Sequence, residues 1–329
     1  MTPLVAARPD RPTLGIALIL LGTAAISVND MLIKALSGGY PLHQMVFARS
    51  VLGLVFTLTL LQYEGGWRAL KTRRPGLHLV RGLCLVISNM AFFAALAALP
   101  LAEATALFFV APLFITLLSI PVLGEKVGPL RLSAVAVGFL GVLIMQRPWA
   151  GGEELHASRL VLALPLLAAL TYAGTMVLTR RLGADMPAAA MAIYTQCIFL
   201  VVAVAFYLAA GDGRFAEGQT NESLLFLLRA WVWPEGRDLW LFVGLGFCSG
   251  LVGYCLAAAY RAADAATIAP FEYAGLPLAV FWGWAVFGTL PAPVTWVGMA
   301  LILASGVFVY LRERRRGREV AARRPTRRY

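Results

Sequence analysis

A chain of 329 residues that is 60% hydrophobic and only 14% charged is excluded from the ordinary soluble folds, in which roughly 25% of residues are charged. Apolar stretches of membrane-spanning length fill nearly all of it and leave no room for a soluble catalytic domain. The net charge of +11 sits mainly in short loops and in the tail "RERRRGREVAARRPTRRY", where topology and attraction to anionic membrane lipid account for it and no nucleic-acid partner is required.

Ten spans are expected, at about 13–36, 41–62, 77–99, 102–123, 130–147, 159–182, 187–210, 239–260, 264–287 and 293–311. The opening "MTPLVAARPDRPTLGIALILLGTAAIS" mimics a signal peptide, but the helical pattern runs on to Lys34, so it is read as the first span. Within that span Thr23, Ser27, Asp30 and Lys34 recur at steps of three and four, one stripe that cannot face lipid. Asp30 and Lys34 have the spacing of an ion pair within one helix, with Lys34 snorkelling to water. Asn29 and Asp30 ask for more, because charges at membrane depth cost about 2.5–3.5 kcal/mol and mark cavities or pathways. Arg49, in the second span, is the natural counter-charge to Asp30, either as a bridge between helices or as a ligand contact.

Ser88 and Asn89 interrupt the third span, Thr171, Tyr172, Thr175 and Thr179 the sixth, and Thr195 and Gln196 the seventh. Most single Ser and Thr residues in such helices bond within their own helix or glue neighbours together. The stretch "SLLFLLRAWVWP" that follows the seventh span is too short to cross and is expected to lie along the interface through Trp231 and Trp233. "GLGFCSG" in the eighth lacks a preceding strand and the spacing of a phosphate loop. In the ninth, "IAPFEYAGLP" places Glu272 between Pro270 and Pro277, which free helix carbonyls, and a carboxylate there is a functional candidate. Asn89, Tyr172, Tyr254 and Tyr273 are expected to line a substrate cavity with Asn29, Asp30 and Arg49, the three rings being able to stack on a planar ligand. Glu272, with no basic neighbour in its span, is the candidate for proton coupling or for holding a substrate ammonium.

His43, His78 and His156 show no metal-ligand spacing and read as isolated polar loop residues. Cys84, Cys197, Cys248 and Cys255 all fall inside apolar stretches, and no disulfide, metal or cofactor is expected. An enzyme would need a His/Asp or Cys/His constellation or a metal cluster at the membrane surface, and a mere scaffold would not need Asp30, Arg49 and Glu272 within the bilayer.

Basic residues gather in the segments that are inside if the N-terminus is inside, among them Arg68, Lys71, Arg73, Arg74, Lys126, Arg180, Arg181 and the tail, so both termini are expected to be cytoplasmic. The two halves repeat. Lys34 and Pro41 match Arg180 and Pro187, Ser88 and Glu103 match Ser249 and Asp264, and Gly124 and Pro129 match Gly288 and Pro293. An odd unit of five helices must insert its second copy from the opposite side, an architecture of secondary transporters with substrate near the midplane. The expected organisation is a cytoplasmic N-terminal segment (1–12), a first repeat (13–147), an external connection (148–158), a second repeat (159–311) and a basic cytoplasmic tail (312–329).

These residues carry a resemblance. "ND…K" (Asn29, Asp30, Lys34), Arg49, "P…GE" (Pro121, Gly124, Glu125) and "APFEY…FG" (Ala269 to Tyr273, Phe287, Gly288) resemble the drug/metabolite transporter superfamily, EamA type, over residues 13 to 311. The resemblance implies an all-α inner-membrane protein of ten helices in two inverted five-helix repeats, moving a small organic metabolite by alternating access; membrane lipid is an expected partner, and whether the chain forms a homodimer is not set by the sequence. Family members with a similar "ND…K" and "PFEY" resemble carriers of riboflavin or S-adenosylmethionine, which implies a planar or zwitterionic heterocycle; amino-acid or drug export is the alternative. One departure is Thr289, where the family commonly has Glu after the glycine of the second repeat.

Overall fold

The computed structural model describes residues 12–63, 66–72, 74–124, 127–147, 149, 158–182, 188–262 and 269–322. Glu125, His156, Asp264 and most of the 148–158 connection lie outside them. The described residues form helices joined by turns and loops, with no strand among them: α1 (Pro12–Leu36), α2 (Leu42–Tyr63), α3 (Pro75–Ala98), α4 (Leu101–Phe108), α5 (Ala111–Leu123) and α6 (Pro129–Gln146). There follow α7 (Arg159–Leu182), α8 (Ala188–Ala210), α9 (Glu222–Leu228) and α10 (Arg237–Ala262), a 3-10 turn (Ala269–Ala274) that runs into α11 (Gly275–Phe287), and α12 (Pro293–Ala322). Seven helical segments are long and apolar enough to cross a membrane, the fourth being Leu101–Leu123 taken together. Three shorter apolar helices, Leu132–Gln146, Phe271–Phe287 and Pro293–Val309, fall where the remaining expected spans lie.

α1 packs on α10, α3 on α7, α2 on α8 and α6 on α12. Lipid gives helices no hydrophobic reason to associate, so close packing must come from small residues. The α3–α7 pair shows this: Ala91, Ala94 and Ala95 of α3 and Ala168, Ala169 and Ala173 of α7 are all buried. In the α6–α12 pair Gly141 and Gly298 bring the backbones together, a Cβ on either lying 2.8 Å from the other's carbonyl oxygen.

The fourth expected span is broken at Phe109 and Val110 into α4 and α5. Pro112 explains it, since a proline lacks the N–H that would bond to Phe108 and its ring crowds that carbonyl. The ninth expected span is likewise irregular at its start, a 3-10 turn before α11. Both α5 and α11 stop at a glycine in the left-handed conformation, Gly124 (φ 70°) and Gly288 (φ 64°). α12 outruns its expected end at residue 311 and continues to Ala322, because Arg and Glu sustain a helix where no proline stops it.

Residues 211–236 are tied to α2, α3 and the turn before α2. Asn221 caps α9 by accepting from the backbone of Ser223 and Leu224, and Phe226 is buried at 1% exposure. The Gln44 amide brackets the backbone of Val232, donating to its carbonyl at 2.6 Å and accepting from its N–H at 3.3 Å. Arg229 donates to the carbonyls of Ser37 and Gly38. Trp231 is tucked against His43, Phe47 and Tyr207, while Trp233 stays exposed.

Candidate functional site

The polar stripe of α1 faces its neighbours, as its spacing requires. Thr23 and Ser27 are buried, and Ser27 accepts from the indole N–H of Trp282 in α11 at 2.9 Å. A Cβ on Gly275, the first residue of α11, would touch both Thr23 and Phe109 at 3.4 Å, so α1, the α4–α5 break and α11 converge there.

Lys34 makes a different contact from the one its spacing suggested. Its Nζ donates to the carbonyls of Leu96 and Leu99 at 2.6 and 2.7 Å and lies 5.5 Å from the Phe287 ring centre. These carbonyls close the C-terminus of α3, where helix carbonyls lack partners and a cation complements the helix dipole. Lys34 therefore acts as a helix cap between α1 and α3, and not as a snorkelling partner of Asp30.

Asn29, Asp30, Arg49 and Asn89 are brought together. The Asn29 amide donates to Asp30 Oδ1 at 3.2 Å. Arg49 donates to Asn89 Oδ1, and Asp30 and Arg49 lie within electrostatic reach of each other. The guanidinium sits between two rings, 5.3 Å from the centre of Phe93 and 5.4 Å from that of Phe199, a position that replaces lost hydration by cation–π attraction. Asp30, Arg49 and Asn89 keep some accessible surface, whereas Asn29 is 7% exposed.

From Arg49 a run of rings leads along the bundle. Phe93 meets Phe92 at 5.4 Å between centres, Phe92 meets Phe108 at 5.2 Å, and Phe108 meets Tyr172 at 5.4 Å. Tyr172 and Tyr273 lie within electrostatic reach of Glu272, and Tyr273 stacks on Phe109 at 5.4 Å and 29°. A charged and amide-rich cluster is thus joined by aromatic rings to Tyr172, within electrostatic reach of the Glu272 carboxylate.

Tyr254 is not part of this arrangement. It is 49% exposed, meets Phe56 edge-on, and lines an open apolar groove of about 390 Å³ between α2 and α10. The histidine expectation is also corrected: His43 and His78 are not loop residues but lie in α2 and α3, 1% and 0% exposed. Each is held by ring stacking, His43 between Phe206 and Trp231 and His78 on Tyr194. The Ser and Thr residues behave as glue: Thr171 and Thr179 bond back within α7, and Ser88 reaches the Ala168 carbonyl at 2.8 Å.

Sequence reasoning missed the connecting rings Phe92, Phe93, Phe108, Phe109 and Phe199, because an apolar helix does not announce which of its phenylalanines face inward. It also passed over Arg81, which had a signal, a charge inside an apolar span. Arg81 is buried and donates to the Met191 carbonyl at 3.1 Å and to Thr195 Oγ1 at 2.8 Å, tying α3 to α8.

Comparison with known proteins places the whole chain in a family. Residues 13–147 match the EamA-like transporter family. A riboflavin transporter of Rhizobium johnstonii is 33% identical over 96% of this chain and 97% of its own, and one of Vibrio cholerae is 31% identical over 92% and 94%. An S-adenosylmethionine uptake transporter of Rickettsia prowazekii is 25% identical over 92% and 94%. A solved crystal structure shares the fold at a TM-score of 0.59 and 20% identity, covering 91% of this chain and 98% of that one. With helices fit to span a membrane and full-length relatives that are transporters, the chain belongs to the EamA-like transporter family of the drug/metabolite transporter type.

Proposed function

We propose that this protein carries a planar heterocycle of the riboflavin type across a bacterial inner membrane by alternating access, and catalyses no reaction. The observation that carries the reading is the run of rings from Phe93 through Phe92 and Phe108 to Tyr172, with hydrogen-bonding groups at both ends. Flat ligands stack on such rings, and polar groups at the two ends fix their direction. The names of the relatives support the substrate class, riboflavin at 33% identity and S-adenosylmethionine at 25%.

The helices form two inverted five-helix repeats, α1 to α6 and α7 to α12 with α9 inserted, and both termini are cytoplasmic. Supporting this, the packing reads the same when the halves are exchanged: α1 on α10 becomes α7 on α3, while α2 on α8 and α6 on α12 map onto themselves. The fourth element of each half is discontinuous and ends at a left-handed glycine, as expected where irregular backbone serves a midplane site. Asn29, Asp30, Arg49, Asn89, Tyr172 and Tyr273 contact the substrate, and Glu272 exchanges the coupling proton. Tyr254, on the outer groove, is the one expected contact that this geometry does not support.

Riboflavin fluorescence tests the reading, because stacking on aromatic rings quenches it. Purified protein in detergent should quench it saturably, and Phe108→Leu with Tyr172→Leu should weaken binding about tenfold. Absence of saturable quenching by well-folded protein would argue for another substrate class.

A further inference from the structure

Asn29 Oδ1 is sealed from solvent and has no hydrogen-bond partner among the described residues. Against an ionised Asp30 the amide's orientation is set, because Nδ2 donates to the carboxylate and the reverse orientation would set two acceptors against each other. Two strong donors are near in the sequence or the site, and both are committed elsewhere. Arg49 is held by Asn89 Oδ1 and wedged between Phe93 and Phe199, and Lys34 is held by the carbonyls of Leu96 and Leu99.

We propose that Asn29 Oδ1, with the Asp30 carboxylate beside it, is the acceptor pair that reads a hydrogen-bond-donating edge, a ring N–H or amino group, on the planar substrate. This rests on the functional reading above and adds the polarity of recognition. A buried acceptor left empty destabilises the closed arrangement, whereas a donor supplied by the ligand removes that penalty. Closure around substrate is thereby favoured over closure around nothing. Stacking alone tolerates any flat ring, so discrimination among flavin-like molecules falls to this pair. An analogue that lacks the donor leaves the acceptor unpaired and is rejected more strongly than its lost contact area would predict.

The test is uptake into proteoliposomes of riboflavin and of riboflavin methylated on its imide nitrogen, which removes the ring N–H. Wild-type protein should favour riboflavin at least about tenfold at subsaturating concentrations. Asn29→Leu, close in size but without an acceptor, should lower riboflavin uptake and reduce the preference to less than about twofold. Equal uptake of the two flavins by wild-type protein overturns the assignment while leaving the transport reading intact, and this comparison decides even if Asn29→Leu fails to fold. Well-folded wild-type protein that takes up neither flavin overturns both.

Discussion

Lys34 shows how far a single residue can be read from sequence. Its presence one turn beyond Asp30 marked the end of α1 as polar, but spacing within one helix cannot reveal a partner 62 residues away. Two charge-assisted bonds to helix-terminal carbonyls are worth roughly 1.5–3 kcal/mol each when buried. Lys34→Met should therefore lower the thermal unfolding midpoint in detergent by several degrees, with Asp30→Asn less harmful to stability; an unchanged midpoint would show that the cap contributes nothing. Arg49 was legible as a charge inside an apolar span, and it lies within electrostatic reach of Asp30, yet its hydrogen bond goes to Asn89. If these two side chains act as a unit, Arg49→Ala with Asn89→Ala should be no more damaging to uptake than Arg49→Ala alone. Fully additive losses would separate their roles. Arg49→Lys should also fail, since an ammonium cannot fill the planar slot between Phe93 and Phe199.

Most helix ends were readable to within two or three residues, because hydrophobic runs, prolines and glycines fix them locally. The break between α4 and α5 was not, although Pro112 was visible, because a proline inside an apolar run kinks some helices and divides others. The docking of residues 211–236 was hidden for a different reason: it depends on Gln44, His43 and Ser37 meeting Val232, Leu227 and Arg229 across the fold. Gln44→Ala removes both bonds to Val232 and should loosen this cover. A cysteine at Ser223, 4% exposed, should then react with a membrane-impermeant maleimide, whereas the same cysteine beside native Gln44 should resist. Equal labelling in both would place the cover's stability elsewhere. Between α6 and α12, Gly141→Val puts a branched side chain where the carbonyl of Gly298 lies 2.8 Å from the added Cβ. The expected cost is about 1–3 kcal/mol, visible as a lower unfolding midpoint. A rise or no change would mean that the two helices can separate freely.

At the level of the whole molecule, the internal matches at Gly124 and Gly288 and at the charged helix ends are the punctuation that a duplicated unit would keep. The exchangeable packing of α1 on α10 and α3 on α7 supports that organisation. What sequence could not supply was convergence: which of eighteen phenylalanines join Arg49 to Tyr172, and that Tyr172 of α7 lies within electrostatic reach of Glu272 in the 3-10 turn before α11. The central claim is that this path carries a flavin-like solute and that Glu272 couples it to protons. The most direct measurement is riboflavin accumulation in proteoliposomes under an imposed pH gradient, for wild-type protein and Glu272→Gln. The account predicts gradient-driven accumulation by the wild type, and by Glu272→Gln riboflavin exchange without accumulation, because the amide keeps the shape but cannot titrate. Equal pH-driven accumulation by both proteins would contradict the role of Glu272, and no saturable uptake by folded wild-type protein would contradict the assignment of substrate.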